Sequence, residues 1–163
     1  MLKERFEELL VGTLKAVQAH YGERLVTLAV FGSVARGSQR PDSDVDLLLI
    51  CDLLPSGRMR RIAEFEEVEK RIAPLLLSLE RDGISTVLAP VLKTPDEVTR
   101  GGVFYLDLVE DTRLLYDRND FFKVFLERLR SRLRELGARR IWRGNAWYWD
   151  LKPDFKAGEI FEL

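Results

Sequence analysis

Leu25-Val26-Thr27-Leu28-Ala29-Val30-Phe31 is a run without a charge, and it stops at Gly32. A stretch of that length with apolar and β-branched side chains on both alternations reads as a strand covered on both faces. Such a strand needs neighbours in its own plane and helices above and below it. The chain is thereby directed to a layered architecture of helices and sheet. A second strand is expected over Asp44 to Ile50, where Leu47, Leu48, Leu49 and Ile50 repeat the apolar character.

Helices are legible from their periodicity. Phe6, Leu9, Leu10, Thr13, Leu14 and Val17 form one stripe between Leu2 and His20, and Gly22 is placed to end it. Ile62, Phe65, Val68, Ile72, Leu75 and Leu79 form another between Arg58 and Arg81, which Pro74 is expected to kink or split. Ile84 to Leu92 is expected to be a third strand, and Thr94 to cap a helix opened by Pro95-Asp96-Glu97. Further on, the expectations are a short helix over Val103 to Glu110, a short strand over Arg113 to Tyr116 and a long helix from Asn119 to Leu136, stopped by Gly137. Arg139 to Trp142 reads as extended, and Gly144 to Leu163 as irregular.

The length of 163 residues suits one domain or one domain with an appendage. The division expected is a core over residues 1–116, then a C-terminal helix and tryptophan-rich tail over 117–163, packed on the core or on a partner. With 46% hydrophobic and 33% charged residues the balance is globular, neither disordered nor fibrous. Nothing after Met1 resembles a signal sequence and no membrane span is expected, so the cytoplasm is the expected compartment.

A net charge of -1 supplies no global attraction for nucleic acid. Between Arg118 and Arg143, nine basic residues face three acidic ones. Leu126, Leu129, Leu133 and Leu136 nevertheless mark an apolar stripe there, so those arginines read as a solvated face, and nucleic-acid binding is not expected. Cys51, the single cysteine, cannot form an internal disulfide and reads as a small core residue. His20, the single histidine, closes the first helix, where positive charge is favourable and a catalytic role is not expected.

The residues with chemical content are Gly32-Ser33-Val34-Ala35-Arg36-Gly37 and Ser43-Asp44-Val45-Asp46-Leu47. Gly32 has no Cβ, so backbone can approach a phosphate closely, and the amides of the turn that follows point at an anion. The Ser33 hydroxyl can add a hydrogen bond. Asp44 and Asp46 alternate about one residue, so on a strand both carboxylates emerge on the same face. Their repulsion on an otherwise apolar strand calls for a cation, and carboxylates plus substrate phosphates are the ligands Mg²⁺ takes.

These two segments resemble the signature of the minimal nucleotidyltransferases of the DNA polymerase β superfamily, a likeness that covers about residues 25–92. The resemblance implies an α+β nucleotidyltransferase fold: a mixed, mostly antiparallel sheet flanked by helices, here with a helical C-terminal extension. It also implies that Asp44 and Asp46 hold Mg²⁺ and are catalytic, and that Gly32 and Ser33 hold the triphosphate with Arg36 assisting. The reaction implied moves a nucleoside monophosphate from a nucleoside triphosphate, expected to be ATP, to a hydroxyl of a protein or small molecule.

In that family a third carboxylate usually stands on the following strand, where it helps bind a second metal and accepts the attacking hydroxyl's proton. Ile84 to Leu92 contains none, and Asp82 just ahead of it is the nearest candidate. Trp147-Tyr148-Trp149-Asp150-Leu151-Lys152-Pro153-Asp154 is similar to the C-terminal segment of stand-alone prokaryotic nucleotidyltransferase-domain proteins, many of which work beside a helical HEPN protein. Two readings therefore stand. One is an active enzyme, and the other a nucleotide-binding, antitoxin-like protein of weak or lost turnover that acts by binding a HEPN-type partner. A homodimer is compatible with either.

Overall fold

The computed structural model describes all of residues 1–163. Its centre is a four-stranded sheet in the order β3-β2-β1-β4, formed by β1 (Leu25–Phe31), β2 (Val45–Cys51), β3 (Leu88–Lys93) and β4 (Arg113–Asp117). β1 runs antiparallel to both β2 and β4, while β2 and β3 are parallel. The sheet is thus mixed and mostly antiparallel, and the uncharged run of β1 lies inside it.

Side chains alternate across the central strands, so each face of the sheet has its own core. On one face Leu28, Val30, Leu47 and Leu49 pack with Phe6, Leu9 and Val17 of α1 (Leu2–Tyr21) and with Phe65, Val68 and Ile72 of α3 (Arg58–Arg81). On the other, Val26, Ala29, Leu48 and Ile50 meet Tyr105, Leu106 and Val109 of a 3₁₀ segment (Val103–Val109) and Phe122, Leu126 and Leu133 of α5 (Phe121–Leu136). Two short helices complete this layer structure, α2 (Gly32–Arg36) and α4 (Pro95–Thr99). Thr94 caps α4 with Glu97 in a reciprocal capping box. Cys51 is fully buried, and burial pushes its thiol up to about 12. No helix is long and apolar enough to cross a membrane.

Three expectations need correcting. α3 continues through Pro74 as one helix, so the expected split does not occur. The carbonyl that Pro74 leaves without its donor belongs to Lys70, an exposed residue whose backbone water can reach, so the helix is not forced to divide. The third strand starts at Leu88, later than Ile84. The residues before it hydrogen-bond to the loop ahead of β2 instead: Ser85 N donates to the Pro41 carbonyl at 2.9 Å, and the Thr86 hydroxyl to the Ser43 carbonyl at 2.6 Å. The tail is also more regular than expected. β5 (Arg139–Arg143) and β6 (Ala146–Asp150) pair as an antiparallel hairpin about Gly144-Asn145, with Trp142 opposite Trp147. Gly144, at φ 63, occupies the first position of a two-residue hairpin loop, where Gly is favoured.

Candidate active site

β1 ends at Phe31 and α2 begins on the next residue. Gly32 makes that change of direction at φ 71, in the left-handed region where a side chain is strained. The space is closed as well: a Cβ built on Gly32 would overlap Oδ2 of Asp46. This closeness follows from register, because Phe31 pairs with Asp46 across β1 and β2. The Gly32-Ser33 backbone therefore lies directly against a carboxylate, with Ser33 in the first turn of α2 and Arg36 at its end.

Asp44 stands just ahead of β2 and is exposed, whereas Asp46 is half-buried within the strand. The approach to Asp44 is fastened at several points. Ser38 N donates to the Ser33 carbonyl at 2.9 Å, Arg40 N to the Ser43 hydroxyl at 2.8 Å, and Val45 N to the Val87 carbonyl at 2.9 Å. Burial, and then the negative charge of Asp44, push the Asp46 carboxyl above its ordinary 3.8, while the positive charge of Arg36 pulls it down. These charges share one small region, and each is felt at Asp46.

The structure thus brings Gly32, Ser33, Arg36, Asp44 and Asp46 together at one end of the sheet. It does not set a third acid on β3 beside Asp46. The β3 residue in register with Asp46 is Ala89, and it points to the same side of the sheet. Asp82 pairs with Arg5 of α1 at 2.9 Å. Nowhere in the fold do three or more His, Cys, Asp or Glu side chains stand together so as to hold a metal ion.

Sequence reasoning missed what surrounds Arg36. Asp111, between the 3₁₀ segment and β4, lies 3.6 Å from the Arg36 guanidinium and 2.9 Å from that of Arg140 in β5. Arg36 also stands over the Trp147 ring of β6, 5.5 Å from its centroid. Only the aromatic Trp147-Tyr148-Trp149 hinted at a strand that could carry such a ring. Asp111 sits in an ordinary polar turn and gave no signal.

Comparison with known proteins bears on the chain's family and fold. Residues 11–80 match the family model described as a nucleotidyltransferase domain. A protein of Methanocaldococcus jannaschii, provisionally named protein adenylyltransferase MJ1305, is 29% identical over 125 residues, covering 76% of this chain and 80% of that protein. Protein adenylyltransferase MntA of Thermococcus cleftensis is 34% identical over 73 residues, covering 45% of this chain and 67% of its own length. Among solved structures, the spectinomycin adenyltransferase of Enterococcus faecialis, determined with ATP and spectinomycin, aligns with a TM-score of 0.54 at 13% identity. That alignment covers 80% of this chain and 66% of the other, and it speaks to the fold alone.

Proposed function

Because this chain belongs to the nucleotidyltransferase family, in its minimal form, we propose that it transfers a nucleoside monophosphate from ATP to a hydroxyl group in a Mg²⁺-dependent reaction. The observation that carries this reading is the fit of Gly32 against Asp46. It leaves backbone free to meet a phosphate within reach of the carboxylates that would hold the cation. In this reading Gly32 and Ser33 hold the triphosphate, and Arg36 offsets its charge. Asp44 and Asp46 supply hard oxygen ligands, and a cation bound between them would offset both influences that push the Asp46 carboxyl up, burial first and the charge of Asp44 second. Bound there, Mg²⁺ would supply charge neutralisation and orientation of the triphosphate.

The transfer forms a bond from the acceptor oxygen to the α-phosphorus and breaks the bond to the departing pyrophosphate. A protein hydroxyl is the acceptor we favour, since both relatives carry the name protein adenylyltransferase. The cytoplasm is the compartment we propose. Residues 117–163 we read as a C-terminal extension packed on a nucleotidyltransferase core of residues 1–116.

The test is Asp46→Asn. Calorimetry with ATP and Mg²⁺ should show affinity reduced about tenfold or more, equivalent to about 1.4 kcal/mol or above. The metal-free melting temperature should hold or rise, because one member of a repelling pair loses its charge. Unchanged ATP affinity would sink the site assignment.

Ala89 favours a second reading. Where a third carboxylate would stand beside Asp46 the chain presents a methyl group, which neither binds a second metal nor accepts a proton. In this reading the protein binds nucleotide but turns it over weakly, and it acts by holding a partner of the helical HEPN type. Ala89→Asp distinguishes the two. A large gain in transfer of label from α-³²P ATP to a candidate partner would show that the missing acid limited catalysis; no gain over an already active wild type would favour the first reading.

A further inference from the structure

The C-terminal hairpin reaches the site, and its contacts with Arg36 are specific. Trp147 is fixed from below by its own indole: Nε1 donates to Asp107 Oδ1 of the 3₁₀ segment at 2.6 Å. Two guanidiniums lie against its ring, that of Arg36 5.5 Å and that of Arg140 5.2 Å from the centroid. Asp111 is shared by the same two arginines, held closely by Arg140 at 2.9 Å and more loosely by Arg36 at 3.6 Å. A side chain with several rotatable bonds at the end of a five-residue helix would otherwise sample many directions.

We propose that Trp147 and Asp111 are positioning residues for Arg36, which makes the β5–β6 hairpin one wall of the nucleotide site. The inference rests on Arg36 meeting the triphosphate. Arg140 satisfies Asp111 directly, so Arg36 is oriented by that carboxylate without being locked to it. The Trp147 face supplies the second restraint through cation–π attraction. Asp107 ties the ring to the 3₁₀ segment that packs on the sheet, so the wall is anchored to the core.

A double-mutant cycle tests this, with ATP·Mg²⁺ affinity and steady-state KM and kcat measured for wild type, W147A, R36A and R36A/W147A. W147A should raise Kd and KM for ATP about five- to tenfold with little change in kcat. R36A should do so at least as strongly, and the double variant should be no worse than R36A. W147F, which keeps a ring over the guanidinium but loses the Nε1–H anchor to Asp107, should recover part of the affinity. It also serves if W147A melts too low to assay. Equal losses from W147A with and without Arg36, or no loss in W147A, would overturn the proposal while leaving the nucleotide site standing. An R36A variant that binds ATP normally would overturn it too. Failure of the wild type to bind ATP·Mg²⁺ would remove the site reading itself, and this inference with it.

Discussion

Gly32 meets two demands at once, a positive φ and the absence of a side chain where Asp46 lies. Gly32→Ala should therefore cost about 1–3 kcal/mol: roughly 1–2 from the left-handed backbone, the remainder from displacing the carboxylate. Thermal melting and ATP calorimetry on one sample should show both losses together, and a variant that melts and binds like wild type would show the turn relaxing without effect. Glu97 makes a different kind of residue-scale prediction. Arg61 grips it with two guanidinium nitrogens at 2.8 and 2.9 Å, and Thr94 N adds a third donor at 3.0 Å. The Arg61 hydrogen bonds are the largest cause of a carboxyl lowered from 4.5 to about 2. A depressed acid stabilises the fold fully above its unfolded value, and that contribution is lost as pH falls from about 4.5 to about 2. With Glu97 30% exposed, solvent reduces it to about 2 kcal/mol, so melting temperature should fall over this window in wild type and much less in Glu97→Gln. Gly32, Ser33, Asp44 and Asp46 were legible in the sequence because their meaning lies in short spacings. Asp111 was not, because its partners Arg36 and Arg140 come from distant parts of the chain.

Elements are joined by Asp117, the last residue of β4. Its carboxylate accepts from Phe122 N at 3.0 Å and Lys123 N at 2.9 Å, satisfying donors in the first turn of α5. It also accepts from the hydroxyl of Thr27 in β1 at 2.7 Å, a residue with no solvent exposure. Asp117→Ala should cost about 2–4 kcal/mol, combining about 1 for a lost helix cap with 1–3 for an orphaned buried hydroxyl. Hydrogen exchange should quicken first at the Phe122 and Lys123 amides, and Thr27→Val in the same background should recover part of the loss. Local pattern located β1 by its uncharged run and α1, α3 and α5 by their apolar stripes, since each carries that mark along its own length. It misjudged Ile84 to Val87, whose β-branched content suits a strand but whose hydrogen bonds go to the loop that presents Asp44. β6 carries little local signal, because Trp147, Tyr148 and Trp149 are all aromatic and show no apolar–polar alternation, and its partner strand lies across the Gly144-Asn145 turn.

Across the whole molecule, one sheet separates two cores, and the hairpin is attached beside the second of them. Trp149 and Leu151 pack on that core, and Asp107 accepts hydrogen bonds from both Trp147 Nε1 at 2.6 Å and Trp149 Nε1 at 3.0 Å. Asp107→Ala should loosen the hairpin without unfolding the sheet. Tryptophan emission should become more accessible to acrylamide, protease should cut near Gly144-Asn145, and global stability should fall by only about 1 kcal/mol because these bonds are exposed. An unaltered quenching profile would show that the indoles are held by packing alone. The sequence by itself determined the layers, the central strands, the main helices and the Gly-Ser and Asp-x-Asp segments, since periodicity, turn chemistry and spacing act over a few residues. Only the tertiary structure decided that Ala89 faces Asp46, that Asp82 belongs to Arg5, and that Asp111 and Trp147 stand around Arg36. Those relations depend on strand register and on which segments pack together, and residues far apart in the chain carry no local mark of where folding will set them.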